Sequence, residues 1–198
     1  MRIGILAFHG DVAEHARATE AAAKKLRLTC EVKLVRTKKD LEGLDGIILP
    51  GGESTNFYKL IVREGMLEAI RSVRCIFGTC AGAIMLAKAI RNKEEGQETL
   101  ALMDIEIDRN AYGRQAESFE DDIDTSLGPV HAVFIRAPRI RSLGPAVRVL
   151  ARRGEEAVAC EQSSYMAACF HPELTTTKFH EHFLEAVQRS AVSQMLSK

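Results

Sequence analysis

The chain has 198 residues, 46% of them hydrophobic, enough to bury one core and short for two, so a single domain spanning residues 1–198 is expected. Lysine plus arginine equals aspartate plus glutamate at 27 each, which leaves no overall field to gather nucleic acid or an anionic membrane surface. Five cysteines without a CxxC pair argue against a disulfide framework or structural zinc, and point to reduced thiols in the cytoplasm.

Arg2 to Phe8 reads as a buried strand. Its apolar run breaks at His9-Gly10-Asp11, too early for a secretory signal or a membrane span. Asp11 and Glu14 offer an N-cap and its box partner for an alanine-rich helix to about Leu26. Glu31 to Arg36 suits a second strand, and Gly46 to Leu49 a third, halted by "PGGEST". Ser54 or Thr55 then caps a helix carrying Phe57, Leu60 and Ile61. Val73 to Phe77 forms another buried strand before a helix from about Ala81 to Ile90. Strand and helix in repetition predict a mostly parallel open sheet with helices on both faces, a three-layer α/β domain.

The second half is richer in strands: Leu100–Asp108, Val130–Ile135, Val147–Ala151, Ala157–Cys160 and Tyr165–Phe170. Short turns such as "RRGEE" predict antiparallel pairing at one edge of the sheet. A helix from about Thr176 to Met195 follows.

Gly78-Thr79-Cys80-Ala81-Gly82 has the G-x-C-x-G form of a nucleophile elbow, in the strand–turn–helix context the motif needs. Small neighbours give clearance for a sharp turn that lifts the sulfur above the sheet. The helix start favours a thiolate, and the Ala81 N–H is left free as an oxyanion donor. The other four cysteines, Cys30, Cys75, Cys160 and Cys169, lie in apparent strands and read as small core residues. In "ACFHPE", His171 emerges at the C-terminal end of a strand, where open α/β sheets build their sites, with Glu173 two residues on. Cys80 as nucleophile, His171 as base and Glu173 as its orienting partner make a workable triad. "GGEST" reads either as a tight turn or as a second oxyanion donor beside the substrate. It lacks the lysine of a P-loop. His180 and His182 make a poor metal pair on a helix, His131 reads as a strand residue and His15 as an exposed helix residue. No metal and no cofactor is expected.

"LPGGEST", "FGTCAG", "RNAYGRQ", "VFIRAP" and "FHPEL", in this order over most of the chain, closely resemble the class I (triad) glutamine amidotransferases. "RNAYGRQ" and "FIRAP" narrow the resemblance to the glutaminase subunits of pyridoxal 5′-phosphate synthases. The resemblance implies that Cys80 attacks the carboxamide of L-glutamine, that His171 moves the protons and that Glu173 orients it. It implies a γ-glutamyl thioester, with glutamate and ammonia as products. Gly52, Glu53, Ser54, Arg109, Ile135 and Arg136 would surround the glutamine, and the N–H groups of Gly52 and Ala81 would form the oxyanion hole. The ammonia would pass to a (β/α)8-barrel synthase subunit in a large hetero-oligomer, whose docking switches on a nearly inactive free glutaminase.

One position departs from the family pattern: His9 stands where "LQGD" would place a glutamine, near the oxyanion loop. A histidine there predicts sensitivity to pH near neutrality. Two other readings share parts of these motifs. One is the glutaminase subunit of another synthase, such as imidazole glycerol phosphate synthase, which should lack "RNAYGRQ". The other is a regulatory binder without catalysis, which has no need to keep all three triad residues. The acidic run "ESFEDDID" and the five arginines from Arg139 to Arg153 read first as solvated charge, and second as docking faces or a cation site.

Overall fold

The structure, a computed structural model, describes residues 1–109 and 118–196. Residues 110–115 of "RNAYGRQ" lie outside that description, as does Glu117 of the acidic run. The elements are β1 Arg2–Leu6, α1 Val12–Leu26, β2 Glu31–Val35, β3 Gly46–Leu49, α2 Ser54–Arg63, α3 Leu67–Arg71, β4 Cys75–Thr79, α4 Ala81–Leu86, β5 Ala87–Arg91 and β6 Met103–Asp108. Then come β7 Phe119–Ile123, β8 Val130–Phe134, β9 Arg139–Leu143, β10 Arg148–Arg153, β11 Glu156–Gln162, β12 Tyr165–Ala168 and α5 Lys178–Leu196. A 3₁₀ turn at Pro172–Leu174 joins the last two.

The main sheet runs β10-β11-β12-β4-β3-β1-β2. Its five strands from β12 to β2 are parallel, while β10 and β11 pair antiparallel at one edge, as predicted. Alternation along the strands divides the core into two layers. Ile47, Leu49 and Ile76 point to one face, where Phe57 of α2 and Ala83 to Leu86 of α4 meet them. Ile48, Cys75 and Phe77 point to the other, against Ala22 and Ala23 of α1 and Phe179, Phe183 and Leu184 of α5. Each fully buried phenylalanine, such as Phe57, Phe77 and Phe183, contributes about 1.5–3 kcal/mol of burial energy. Among the described residues no helix is long and apolar enough to cross a membrane.

The structure departs from the sequence reading in several places. The helix after Cys80 stops at Leu86, and Ala87–Arg91 leaves as β5 to pair with β6. A three-stranded sheet β5-β6-β9 and a hairpin β7-β8 stand apart from the main sheet. The strands β5, β7 and β9 escaped the reading because cross-strand charge pairs, rather than local propensity, hold them. Arg91 meets Glu106, and Arg139 meets Glu156. On β7, Asp121 meets Arg153, and Glu120 and Asp122 flank His131. Among the described residues the two runs meet in the Asp121–Arg153 pair, while Arg139, Arg141 and Arg148 pair with Glu156, Asp108 and Glu161 outside the acidic run. Asp11 precedes α1, but its side chain makes no cap hydrogen bond.

Candidate active site

The C-terminal ends of the parallel strands converge on one cavity of about 340 Å³. It is lined by Gly52, Glu53 and Ser54 after β3, Cys80 and Ala81 after β4, and His171 after β12. Arg109, just past β6, and Ile135 and Arg136, just past β8, complete the wall. Of the residues expected to form the triad, the oxyanion hole and the glutamine site, Glu173 alone stands outside the lining, behind His171.

Cys80 sits at the turn between β4 and α4 with φ 49° and ψ −106°, a conformation that L side chains rarely adopt. Two backbone contacts hold it there: its N–H donates to Ala168 O at 2.8 Å, and its carbonyl accepts from Ile84 N at 3.3 Å. The sulfur lies 3.8 Å from the Ile135 carbonyl. Ala81 opens α4, so its N–H has no carbonyl of its own helix to meet. Across the cavity Gly52 has φ 136°, and a side chain there would put its Cβ 2.2 Å from Nδ1 of His9. That residue is therefore restricted to glycine by both conformation and space.

His171 is 3% exposed, and its Nδ1 lies 2.8 Å from Glu173 Oε1 and 3.1 Å from Asp11 Oδ2. Its Nε2 is buried without a hydrogen-bond partner of its own among the described residues, and the Cys80 thiol is the neighbour that interacts with the ring. Burial opposes the imidazolium, but Cys80 and Glu173 outweigh it and push the pKa of His171 up to about 10. Burial likewise opposes the charge on Glu173, while hydrogen bonds from His15 and His171 bring its carboxyl down to about 2. The arrangement is an ionised carboxylate holding a protonated imidazole beside a sulfur.

The rim is equally organised. Glu53 caps α2, accepting from Thr55 N at 2.8 Å and Asn56 N at 2.7 Å, and takes Arg109 Nη2 at 2.8 Å. Arg109 Nη1 reaches Glu94, Thr55 and Gln97, at 2.9, 3.0 and 3.2 Å. Gln97 in turn donates to Ser54 Oγ at 2.7 Å. Arg109 is thus fixed by two carboxylates at the mouth of the cavity. Gln97 and Glu94 carried no signal in the sequence, because they lie on an irregular stretch with no motif.

His9 packs on Phe57, ring centroids 4.8 Å apart, and burial pushes its pKa below the ordinary histidine value. Burial thus favours the neutral ring and moves the sensitivity expected near neutrality toward lower pH. His15 and His180 correct the reading further. Both are completely buried, and they form a chain behind Glu173, whereas His15 was expected to be exposed. His182 departs from that chain and bonds Glu161 at 2.6 Å. Asp11 is the other unforeseen neighbour: read as a helix cap, it faces His171 instead.

Comparison with known proteins adds to this geometry. The SNO glutamine amidotransferase family matches residues 5–189. The chain is 48% identical to a pyridoxal 5′-phosphate synthase subunit PdxT from Thermus thermophilus, over 92% of this chain and 96% of that protein. It is 42% identical to the subunit of the same name from Methanosarcina barkeri, over 96% and 100% of the two chains. Among solved structures, one described as a glutamine amidotransferase superposes with TM-score 0.83 at 45% identity, covering 94% of this chain and 98% of that one. A glutamine amidotransferase from Thermotoga maritima, TM-score 0.56 and 14% identical over 97% and 86% of the two chains, shares the fold.

Proposed function

This chain belongs to the SNO glutamine amidotransferase family, and on that premise we propose that it is the glutaminase subunit of a pyridoxal 5′-phosphate synthase, with Cys80, His171 and Glu173 as its catalytic triad. The observation that carries the reading is the placement of an elbow cysteine, a buried imidazole and a buried carboxylate at the head of one cavity. Residues 1–198 serve as one glutaminase domain. Five free cysteines suit a reducing cytoplasm.

The chemistry follows from the geometry. The proton needed later already rests on His171, and the sulfur of Cys80 bonds to the carboxamide carbon of L-glutamine. The carbonyl oxygen takes the negative charge and is met by the N–H groups of Ala81 and Gly52, each worth about 10²–10³ in rate at comparable sites. The tetrahedral centre collapses, the C–N bond breaks, and the nitrogen leaves as ammonia with the proton from His171. Water then attacks the thioester carbonyl while His171 takes its proton, and the C–S bond breaks to release glutamate. Glu173 keeps the imidazole aimed throughout and stabilises it whenever it carries the proton. Arg136 supplies positive charge for the α-carboxylate, and Arg109, held by Glu53 and Glu94, forms the remaining walls of the substrate site with Glu53, Ser54 and Ile135.

Ammonia passes to a (β/α)8-barrel synthase subunit in a large hetero-oligomer, and docking of that barrel switches the glutaminase on. Glutamate release is expected to be slight for the purified chain and to rise at least roughly 5-fold on mixing with a pyridoxal 5′-phosphate synthase subunit. Equal release with and without that subunit would contradict the coupling, and no release in a mixture shown to bind would contradict the glutaminase.

The pH profile carries its own prediction. His171 must be protonated to expel ammonia, and its pKa is raised, so the acid form persists above the ordinary histidine range. The alkaline limb of kcat/KM is expected at about pH 10. A limb near 6.5, the ordinary value for histidine, would show that the Cys80–His171–Glu173 contacts do not form.

A further inference from the structure

The proposed reaction leaves two wholly buried histidines unused. His15 of α1 and His180 of α5 lie directly behind the triad carboxylate. His15 Nε2 is 3.0 Å from Thr79 Oγ1 and 3.4 Å from Glu173 Oε1, the oxygen that also takes His171. His15 Nδ1 is 2.9 Å from His180 Nε2. The aromatic ring of Phe77 closes the space from β4, with its centroid 6.3 Å from that of His15 and 5.5 Å from that of His180.

The direction of these bonds follows from an orphan. His180 is neutral, since burial and then the neighbouring His15 bring its pKa to about 3, so its ring carries one proton. Its Nδ1 is buried with no hydrogen-bond partner among the described residues. A proton there would leave a buried N–H unmet, which folded proteins avoid more strictly than an unmet lone pair. The proton therefore sits on His180 Nε2 and is donated to His15 Nδ1. His15 in turn carries its proton on Nε2, facing Glu173 and Thr79. The reverse tautomers would aim the bare lone pair of His15 at a carboxylate.

We infer that His180 sets the tautomer of His15 and that His15, through Nε2–H, holds Glu173 in place for His171, a positioning role that rests on the glutaminase reading above. The chain runs Cys80–His171–Glu173–His15–His180. Because Thr79 adjoins Cys80 in sequence, the same histidine ties the elbow to the carboxylate. A histidine that merely filled the core would show no preference for which of its nitrogens is replaced.

That preference is the test. Glutamine at position 15 places an amide N–H where Nε2 was, whereas asparagine reaches only as far as Nδ1. In the complex with the synthase subunit, His15→Gln is expected to keep kcat near wild type, and His15→Asn to lose roughly 10- to 100-fold with KM for glutamine unchanged. Equal losses in the two variants, or none in either, would overturn the positioning role. The nitrogen chemical shifts of ¹⁵N-histidine-labelled wild-type protein read the tautomers without any variant. Protons on Nε2 of both His15 and His180 are expected, and a proton on Nδ1 of either ring overturns the inference. Absence of glutamate release by the wild-type complex would count against the glutaminase reading instead, and the shifts would still decide the tautomers.

Discussion

Cys80→Ser leaves the fold in place and lowers glutamate release by on the order of 10⁴-fold or more, measured in the complex with the synthase subunit. Serine matches the shape of cysteine at the elbow, so the two backbone contacts that hold φ 49° remain, and the melting temperature is expected to stay near wild type. What is lost is a nucleophile that can be ionised by its neighbour. A cysteine shares its proton with His171 at low cost, whereas a serine hydroxyl holds its proton far more tightly. The oxyanion donors and the walls of the cavity survive the change, so some activity above the uncatalysed rate remains. A loss of tenfold or less would mean that the sulfur does not form the bond to substrate.

Gly82→Ala is the second large effect, and it acts through the fold. A Cβ on Gly82 would lie 1.9 Å from the carbonyl oxygen of Leu49 and 2.8 Å from its carbon. These are backbone atoms at the end of β3, which cannot swing aside as a side chain would. Either α4 lifts away from the sheet or β3 shifts, and β3 leads into Gly51 and Gly52 of the oxyanion loop. Overpacking of this kind costs about 3 kcal/mol or more. For a chain of this size that is a fall in melting temperature of roughly 6–12 °C. Thermal unfolding monitored by circular dichroism reads it directly, and a melting temperature within about 2 °C of wild type would refute the close approach.

Much of this architecture was legible because its determinants are local. Short apolar runs such as Gly46–Leu49 are buried on both faces and announce parallel strands without reference to anything distant. The elbow is legible for the same reason, since glycine at 78 answers a demand made within one turn, by the backbone of Gly82. His171 and Glu173 stand two residues apart, so one short motif contains their hydrogen bond. By contrast, His15 and His180 are separated by 165 positions, and their burial depends on how α1 packs against α5. On α1 the flanking Glu14 and Arg17 form an exposed ion pair, and nothing in that helix marks His15 as different. Asp11 carried the pattern of a helix cap, but the approach of His171 from the other end of the chain draws the carboxylate elsewhere. Strand β7 was obscured because Glu120, Asp121 and Asp122 find their partners on β8 and β10, which no local pattern can reveal. Ala87 to Arg91 follows an apolar helix without a stop signal, and only its pairing with β6 makes it a strand.

The central claim is that glutamine is opened by a covalent bond to Cys80. Its most direct test is to mix the complex with L-glutamine, quench with acid during turnover, and map the masses of the peptides. A γ-glutamyl adduct on the peptide carrying Cys80, absent in Cys80→Ser, is the predicted result. Turnover at full rate with the adduct on another residue, or glutamate released by Cys80→Ser at an undiminished rate, would contradict it.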